Sequence, residues 1–540
     1  MNQARSAPAH NAGSEAIAPA GTFRGQRSAG VVAFKGIPYA RSPVGALRFA
    51  PPMGLEPSSA PQDATRFGPI SIQDIDPLPL AIPGTEDNFY APGVVASEDC
   101  LNLNIWTPDV GGRAPVLIWI HGGAFLCGSG TGSWTDGSRQ ARDNGLVVVT
   151  LNYRLGYLGG LYLGDHDPRR SNLALQDQLL ALRWVKENIA AFGGDPDRVT
   201  IGGQSAGAMS VAALVVAPAA QGLFRRAFIE SGHLDAFINL ATARATTAFL
   251  LDRLGVDARG DVLGQLEALS TFRITALQRE LGISRRAFPL VADAVTLPVD
   301  PLAALAGRSD IDIMIGTTSE EDRLFAVTGW APAPRGLAGT LAGYLNDAAA
   351  RAEGEAIYSP LLAARHGDQV ALTHLIATDH SWAEPARRLA EVHSAAGGRT
   401  FHYEFAWQAS ALGGRVGAAH LIDLPFFFDN LDAPGVADLL GETSRHESAQ
   451  RLASGASKAL AGFVRSGDPG GPLGAWPPFK PQHRVTRVLD TDSSIEIDRL
   501  ADRLDFWARH RADAVPALST ISGAAETAAP TTDVRAGGTQ

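Results

Sequence analysis

Short apolar runs, each bounded by polar or turn-forming residues, recur along the chain. Val116–Ile120, Leu146–Leu151, Arg198–Gly202, Arg226–Glu230, Ile311–Ile315 and Phe401–Phe405 are the clearest. Their apolar positions are consecutive more often than alternate, the pattern of strands buried on both faces of a parallel sheet. Between them the period changes. Leu175, Leu179, Leu182, Val185 and Ile189 stand three or four apart and share one helical face. Asn172 is expected to cap that helix, and Phe192-Gly193-Gly194-Asp195-Pro196 to end it. Strands alternating with such helices predict a wound α/β fold, a mostly parallel central sheet covered by helices. The stretches 240–285 and 330–395 read as helix-rich and predict a helical cap region over one edge of the sheet.

The two ends look different. Residues 1–20 and 516–540 are rich in Ala, Ser, Thr, Pro and Gly without apolar periodicity, and read as flexible tails around a single catalytic domain over 21–515. No internal repeat or long linker divides that domain. A net charge of −10, with no basic cluster to offset it, argues against nucleic acid or an anionic membrane as partner. No apolar run reaches 18 residues, and the first 21 residues hold no stretch of signal-peptide length. Two cysteines, Cys100 and Cys127, are too few for a disulfide scaffold. The expectation is a cytoplasmic protein with free thiols, either monomer or homodimer.

Candidate chemistry begins at Arg198-Val-Thr-Ile-Gly-Gly-Gln-Ser-Ala-Gly, which reads strand, tight turn, helix, with Gly203-Gln204-Ser205-Ala206-Gly207 at the turn. Glycines two before and two after Ser205 relieve the crowding of so sharp a reversal, and the hydroxyl is presented above a helix N-terminus that favours developing negative charge. The five-residue pattern is common in a chain with 58 glycines; the strand before it and the small-residue helix after it make it specific. Upstream, the strand Pro115–Ile120 runs into His121-Gly122-Gly123-Ala124-Phe125. Attack on a carbonyl creates an oxyanion that needs preorganised N–H donors, and adjacent glycines let a backbone turn its amides toward a ligand.

These residues carry a resemblance. The blocks FKGIPYA with PVGALRF, SEDCLNLNIWTP, WIHGGAF, VVVTLNYRLGYLG, QDQLLALRWVKENIAAFGGDPDRVTIGGQSAGA, LFRRAFIESG, GTTSEEDRLF, VGAAHLIDLPFFF and VRSGDPGGPLGAWPPF span Phe34 to Phe479. The chain resembles the type-B carboxylesterase and lipase family of the α/β-hydrolase fold, whose members include para-nitrobenzyl esterases. The resemblance implies that Ser205 is the nucleophile. It implies an oxyanion hole from the amides of Gly123, Ala124 and Ala206, with Gly122 shaping the loop. It implies Glu321 as the acid and His420 as the base. Spacing alone selects neither Glu321 from Glu320, Glu321 and Asp322 nor His420 from 13 histidines.

Four departures from the family pattern stand out. Asp322 occupies a usual glycine, Asp423 a usual glutamate, and Ala294 the glycine of an Asp-Gly pair. Ser71 stands where secreted relatives hold a partner for Cys100. The implied function is hydrolysis of a small-molecule ester through an acyl-enzyme, with no metal or organic cofactor needed. An amidase or carbamate hydrolase could use the same residues, and a catalytically inactive binding homologue would keep the fold alone. Trp330, Phe125, Leu126 and Phe426–Phe428 are candidate pocket walls.

Overall fold

The computed structural model describes residues 14–73, 78, 81–281, 290–329, 335–364 and 366–512. Its frame is an eleven-stranded sheet. In chain order the strands are β1 (Gln26–Ser28), β2 (Val31–Pro38), β3 (Asn102–Thr107), β4 (Ala114–Ile120), β5 (Val147–Leu151) and β6 (Gly194–Gln204). They continue with β7 (Arg226–Glu230), β8 (Asp312–Thr318), β9 (Thr400–Phe405), β10 (Val485–Leu489) and β11 (Ser494–Ile497). Across the sheet they lie β11-β10-β9-β8-β7-β6-β4-β5-β3-β2-β1. From β10 to β5 every neighbouring pair is parallel. Both margins are antiparallel.

The continuous apolar runs follow from burial on two faces. Along β4, Ile118 and Ile120 enter one core while Leu117 and Trp119 enter the other; along β8, Ile313 and Ile315 oppose Met314 in the same way. The first core is closed by α1 (Leu173–Asn188) and α2 (Ala206–Val216), the second by α4 (Glu447–Ser466) and the Leu424–Phe428 turn. Every residue of α2 is buried, which is why it shows no polar face. A further helix, α3 (Glu384–Ala395), packs on β8 and β9. It therefore covers the sheet, so the predicted 330–395 cap is shorter than expected. Its remaining helices, Gly336–Tyr344, Ala348–Ala364 and Gln369–Thr378, form their own small core with Phe506 and Trp507. The 240–285 stretch is helical over Leu240–Leu254, Val262–Ala268 and Thr271–Leu281.

Two expectations need correction. The N-terminal tail is shorter than 1–20, because Glu15–Ala18 pairs with Gly21–Arg24 and buries Ala16 and Ala18. The 516–540 tail lies outside the described residues, as does Trp330. Asn172 stands at the N-cap position of α1 as expected, but its side chain makes no capping bond. It sits at φ 51° and spends its amide elsewhere, accepting from Val291 N at 2.8 Å and donating to Val291 O at 2.9 Å and Asp293 Oδ2 at 3.0 Å. Among the described residues no helix is long and apolar enough to cross a membrane.

Cys100 and Cys127 are both buried, and no disulfide joins them. Cys100 is hydrogen-bonded to Ser71, and burial pushes its thiol up to about 12.

The Asp293–Ala294 turn carries strain. Asp293 Oδ1 accepts from the amides of Val295, Thr296 and Leu297, and Ala294, exposed, is held at φ 61°. A left-handed alanine costs about 1–2 kcal/mol, of which glycine's greater unfolded entropy would offset about 0.4–1 kcal/mol. Ala294→Gly is expected to stabilise the fold by about 0.5–1 kcal/mol, read as a higher thermal midpoint. An unchanged or lower midpoint would show that the turn accepts alanine without strain.

Candidate active site

The carboxyl ends of β4 and of β6 to β9 converge, and the candidate residues stand on the loops that follow them, as ligand sites do in open parallel sheets. Ser205 sits between β6 and α2 at φ 57°, ψ −126°. Its amide donates to Glu230 O at 2.9 Å, and its carbonyl accepts from Met209 N at 2.9 Å. Only glycine fits on either side. A Cβ on Gly203 would lie 2.7 Å from Ile120 O, and one on Gly207 would lie 2.0 Å from that same oxygen. The tight turn is thus imposed by β4, which passes directly beneath it.

Glu321 follows β8 and is wholly enclosed; His420 follows β9 and is 4% exposed. His420 Nδ1 and Glu321 Oε2 are 2.5 Å apart. The other carboxylate oxygen accepts from Ser231 Oγ at 2.6 Å and Thr318 N at 2.8 Å. With the proton on Nδ1, the Nε2 lone pair faces outward, and the amide of Gln204 donates to it at 3.0 Å. Above the imidazole lie Trp382, with ring centroids 4.6 Å apart, and Phe325, at 5.5 Å. Trp382 reaches this position from a π-helical turn, Asp379–Ala383, between Gln369–Thr378 and α3. A widened helical turn of this kind re-aims a side chain that regular spacing would direct elsewhere.

The loop after β4 lies against the nucleophile. A Cβ on Gly122 would be 3.1 Å from Ser205 Cβ, and one on Gly123 would be 2.2 Å from Cys127 O. Gly123, Ala124 and Phe125 all have positive φ, at 99°, 54° and 59°. This backbone turns its peptide planes residue by residue, and it adjoins the first turn of α2, which begins at Ala206. Beneath the loop a cavity of about 30 Å³ touches Gly122, Gly123, Gln204 and Leu421. Burial holds the His121 imidazole beside it down at about 4, keeping the ring neutral.

The three adjacent acids separate by partner. Glu320 pairs with Arg323 at 2.8 Å and accepts from Ala418 N, whereas Glu321 turns inward to His420. Asp322 pairs with His374 of the cap at 2.7 Å. The candidate pocket walls separate too. Phe426, Phe427 and Phe428 are fully buried against Trp407, Tyr403 and Trp119, so they belong to the core. Phe125 and Leu126 stand on the loop after β4 but are buried too, each 7% exposed and packed into the first core. Sequence reasoning missed Ser231, Phe325 and Trp382. The glycine after Ser231, in Ile-Glu-Ser-Gly, was the available signal for the first: a Cβ on Gly232 would lie 2.4 Å from Ala208 Cβ.

Comparison with known proteins gives one answer throughout. A sequence model of the Carboxylesterase family matches residues 14–507. The para-nitrobenzyl esterase of Bacillus subtilis is 35% identical over 491 residues, covering 88% of this chain and 95% of that protein. The phenmedipham hydrolase of Pseudarthrobacter oxydans is 34% identical, covering 90% of this chain and 97% of its own. A solved PNB esterase superposes with a TM-score of 0.79 at 33% identity, over 91% of this chain and 99% of that one. A carboxylesterase of Geobacillus stearothermophilus gives 0.76 at 35% identity, over 92% and 100%. With the α/β-hydrolase architecture of those enzymes and a match along almost its whole length, the chain belongs to the carboxylesterase family.

Proposed function

We propose that the chain is a serine carboxylesterase that hydrolyses small-molecule carboxylic esters through an acyl-enzyme on Ser205, within one catalytic domain. The observation that carries the reading is the enclosed 2.5 Å contact between Glu321 Oε2 and His420 Nδ1, with the opposite edge of that imidazole reaching the residue next to Ser205. In the first half-reaction the Ser205 proton passes to His420 Nε2 as Oγ bonds to the ester carbon. For this the serine hydroxyl takes the place of the Gln204 amide on the imidazole lone pair. The oxyanion is held by the amides of Gly123, Ala124 and Ala206. His420 then returns the proton to the alkoxide as the C–O bond breaks, and the alcohol leaves. Water repeats both proton transfers on the acyl-enzyme and regenerates Ser205.

Glu321 stabilises the imidazolium formed in each step, and its two other donors keep the carboxylate from rotating. Every proton in the scheme passes between Ser205, His420, the leaving alcohol and water, so the scheme needs no metal or organic cofactor.

The bond cleaved is tested with a matched pair of substrates, the p-nitrophenyl ester and the p-nitroanilide of one acyl group. The ester is expected to turn over many-fold faster, because an alkoxide or phenoxide leaves more readily than an amine. Equal or faster turnover of the anilide would assign amide hydrolysis to the same residues.

A further inference from the structure

Behind Glu321 lie two acids that the reaction scheme does not use. Glu230 ends β7; its carbonyl accepts the Ser205 amide, and the next residue, Ser231, bonds Glu321. Asp423 stands three residues after His420, at the start of the Leu424–Phe428 turn. Both side chains are 0% exposed. Their carboxyls lie within reach of one another, close enough to bond once one of them carries a proton. Among the described residues no cationic side chain meets their four carboxyl oxygens; the Tyr403 phenol and the backbone N–H of Asp423 lie beside Asp423, while neither Glu230 oxygen has a donor.

Two ionised carboxylates only accept, so they cannot satisfy each other, and in a low-dielectric interior they repel. One proton between them resolves both problems. Of the three enclosed acids, Glu321 is the best supplied with donors and Glu230 the worst, so the shared proton belongs on the Glu230–Asp423 pair and not on Glu321.

We infer that Glu230 and Asp423 share a proton as a carboxyl–carboxylate pair, and that this pair is a positioning unit tying the Ser205–Ser231 corner to the His420 loop. It holds the two loops that fix Glu321 and His420, and with one shared proton it carries a single negative charge where two ionised carboxylates would carry two. The titratable groups around it are Glu321, His420 and Tyr403. Burial, then the nearby Asp423, push the Glu230 carboxyl well above its ordinary range, and burial, then the charge of Glu321, push Asp423 up to about 7. Burial likewise pushes the Tyr403 phenol upward, so it stays a neutral neighbour.

Two readouts test the pair. Infrared difference spectra of the resting enzyme at neutral pH, native minus Glu230→Gln, are expected to show the C=O band of a protonated buried carboxyl. That band does not depend on turnover, so it stands or falls apart from the esterase reading. The activity readout rests on that reading. Glu230→Gln keeps a donor toward Asp423 and is expected to retain kcat within a few-fold. Glu230→Leu takes the shared proton away from Asp423, leaving it only the Tyr403 phenol and its own N–H, and is expected to lose roughly 10–100-fold in kcat with KM little changed. Should the leucine variant fail to fold, the infrared band and the glutamine variant decide. A difference spectrum without the band, or a glutamine variant as impaired as the leucine one, would overturn the inference.

Discussion

Ser205→Ala is expected to lower kcat toward p-nitrophenyl esters by roughly 10⁴–10⁶, leaving only what binding and the oxyanion amides contribute. The size follows from the absence of a substitute path. The acyl-enzyme requires an oxygen nucleophile at the end of β6, and the residue on either side of Ser205 offers none in reach of both His420 and the Gly122–Ala124 loop. The fold should be unchanged, since Ser205 holds its strained φ through backbone bonds to Glu230 and Met209. An equal thermal midpoint with lost turnover is the expected pair of results. A loss smaller than about tenfold would remove Ser205 from the reaction.

Glu321→Gln is expected to lower kcat by roughly 10³–10⁴ with little change in KM. The two environments of the carboxylate explain why. Thr318 N can only donate to Oε1, so the glutamine must turn its carbonyl oxygen that way and its amide toward the imidazole. An amide donor facing Nδ1 forces the ring proton to Nε2, and the lone pair that accepts the serine proton is gone. The substitution is nearly isosteric, so the loss is a loss of tautomer. Asp322 cannot take over, because it is paired with His374 on the cap. Near-native kcat for Glu321→Gln would show that the imidazole is oriented by something else.

Much of the frame was legible because β4, β5, β7, β8 and β9 are buried on both faces and leave continuous apolar runs. β3 escaped notice for a physical reason. Its sequence Asn102–Thr107 carries Asn102 and Asn104 into the interior, where Asn104 bonds Gly36 N, Gly130 O and Thr150 Oγ1. Polar residues satisfied inside a sheet look like a loop when read as a pattern. β6 began earlier than predicted, at Gly194, directly after the Ile189–Phe192 turn that follows α1 and its left-handed Gly193.

The candidate site divided along the same line. Gly203, Gly207, Gly122 and Gly123 are demanded by backbone contacts under 3 Å, and such positions announce themselves in sequence. Glu321 and His420 do not, since their pairing across 99 residues is set by the packing of β8 beside β9. Trp382 and the Glu230–Asp423 pair were invisible for that reason, each standing on an element whose neighbours only the fold supplies.

The most direct test of the central claim, a covalent intermediate on Ser205, is labelling with a fluorophosphonate followed by intact-mass and peptide analysis. One adduct per chain, located on Ser205, lost in Ser205→Ala and formed far more slowly in His420→Ala, is the predicted result. A purified, folded sample that hydrolyses esters yet takes no label at Ser205 would contradict it, as would one that neither hydrolyses nor reacts.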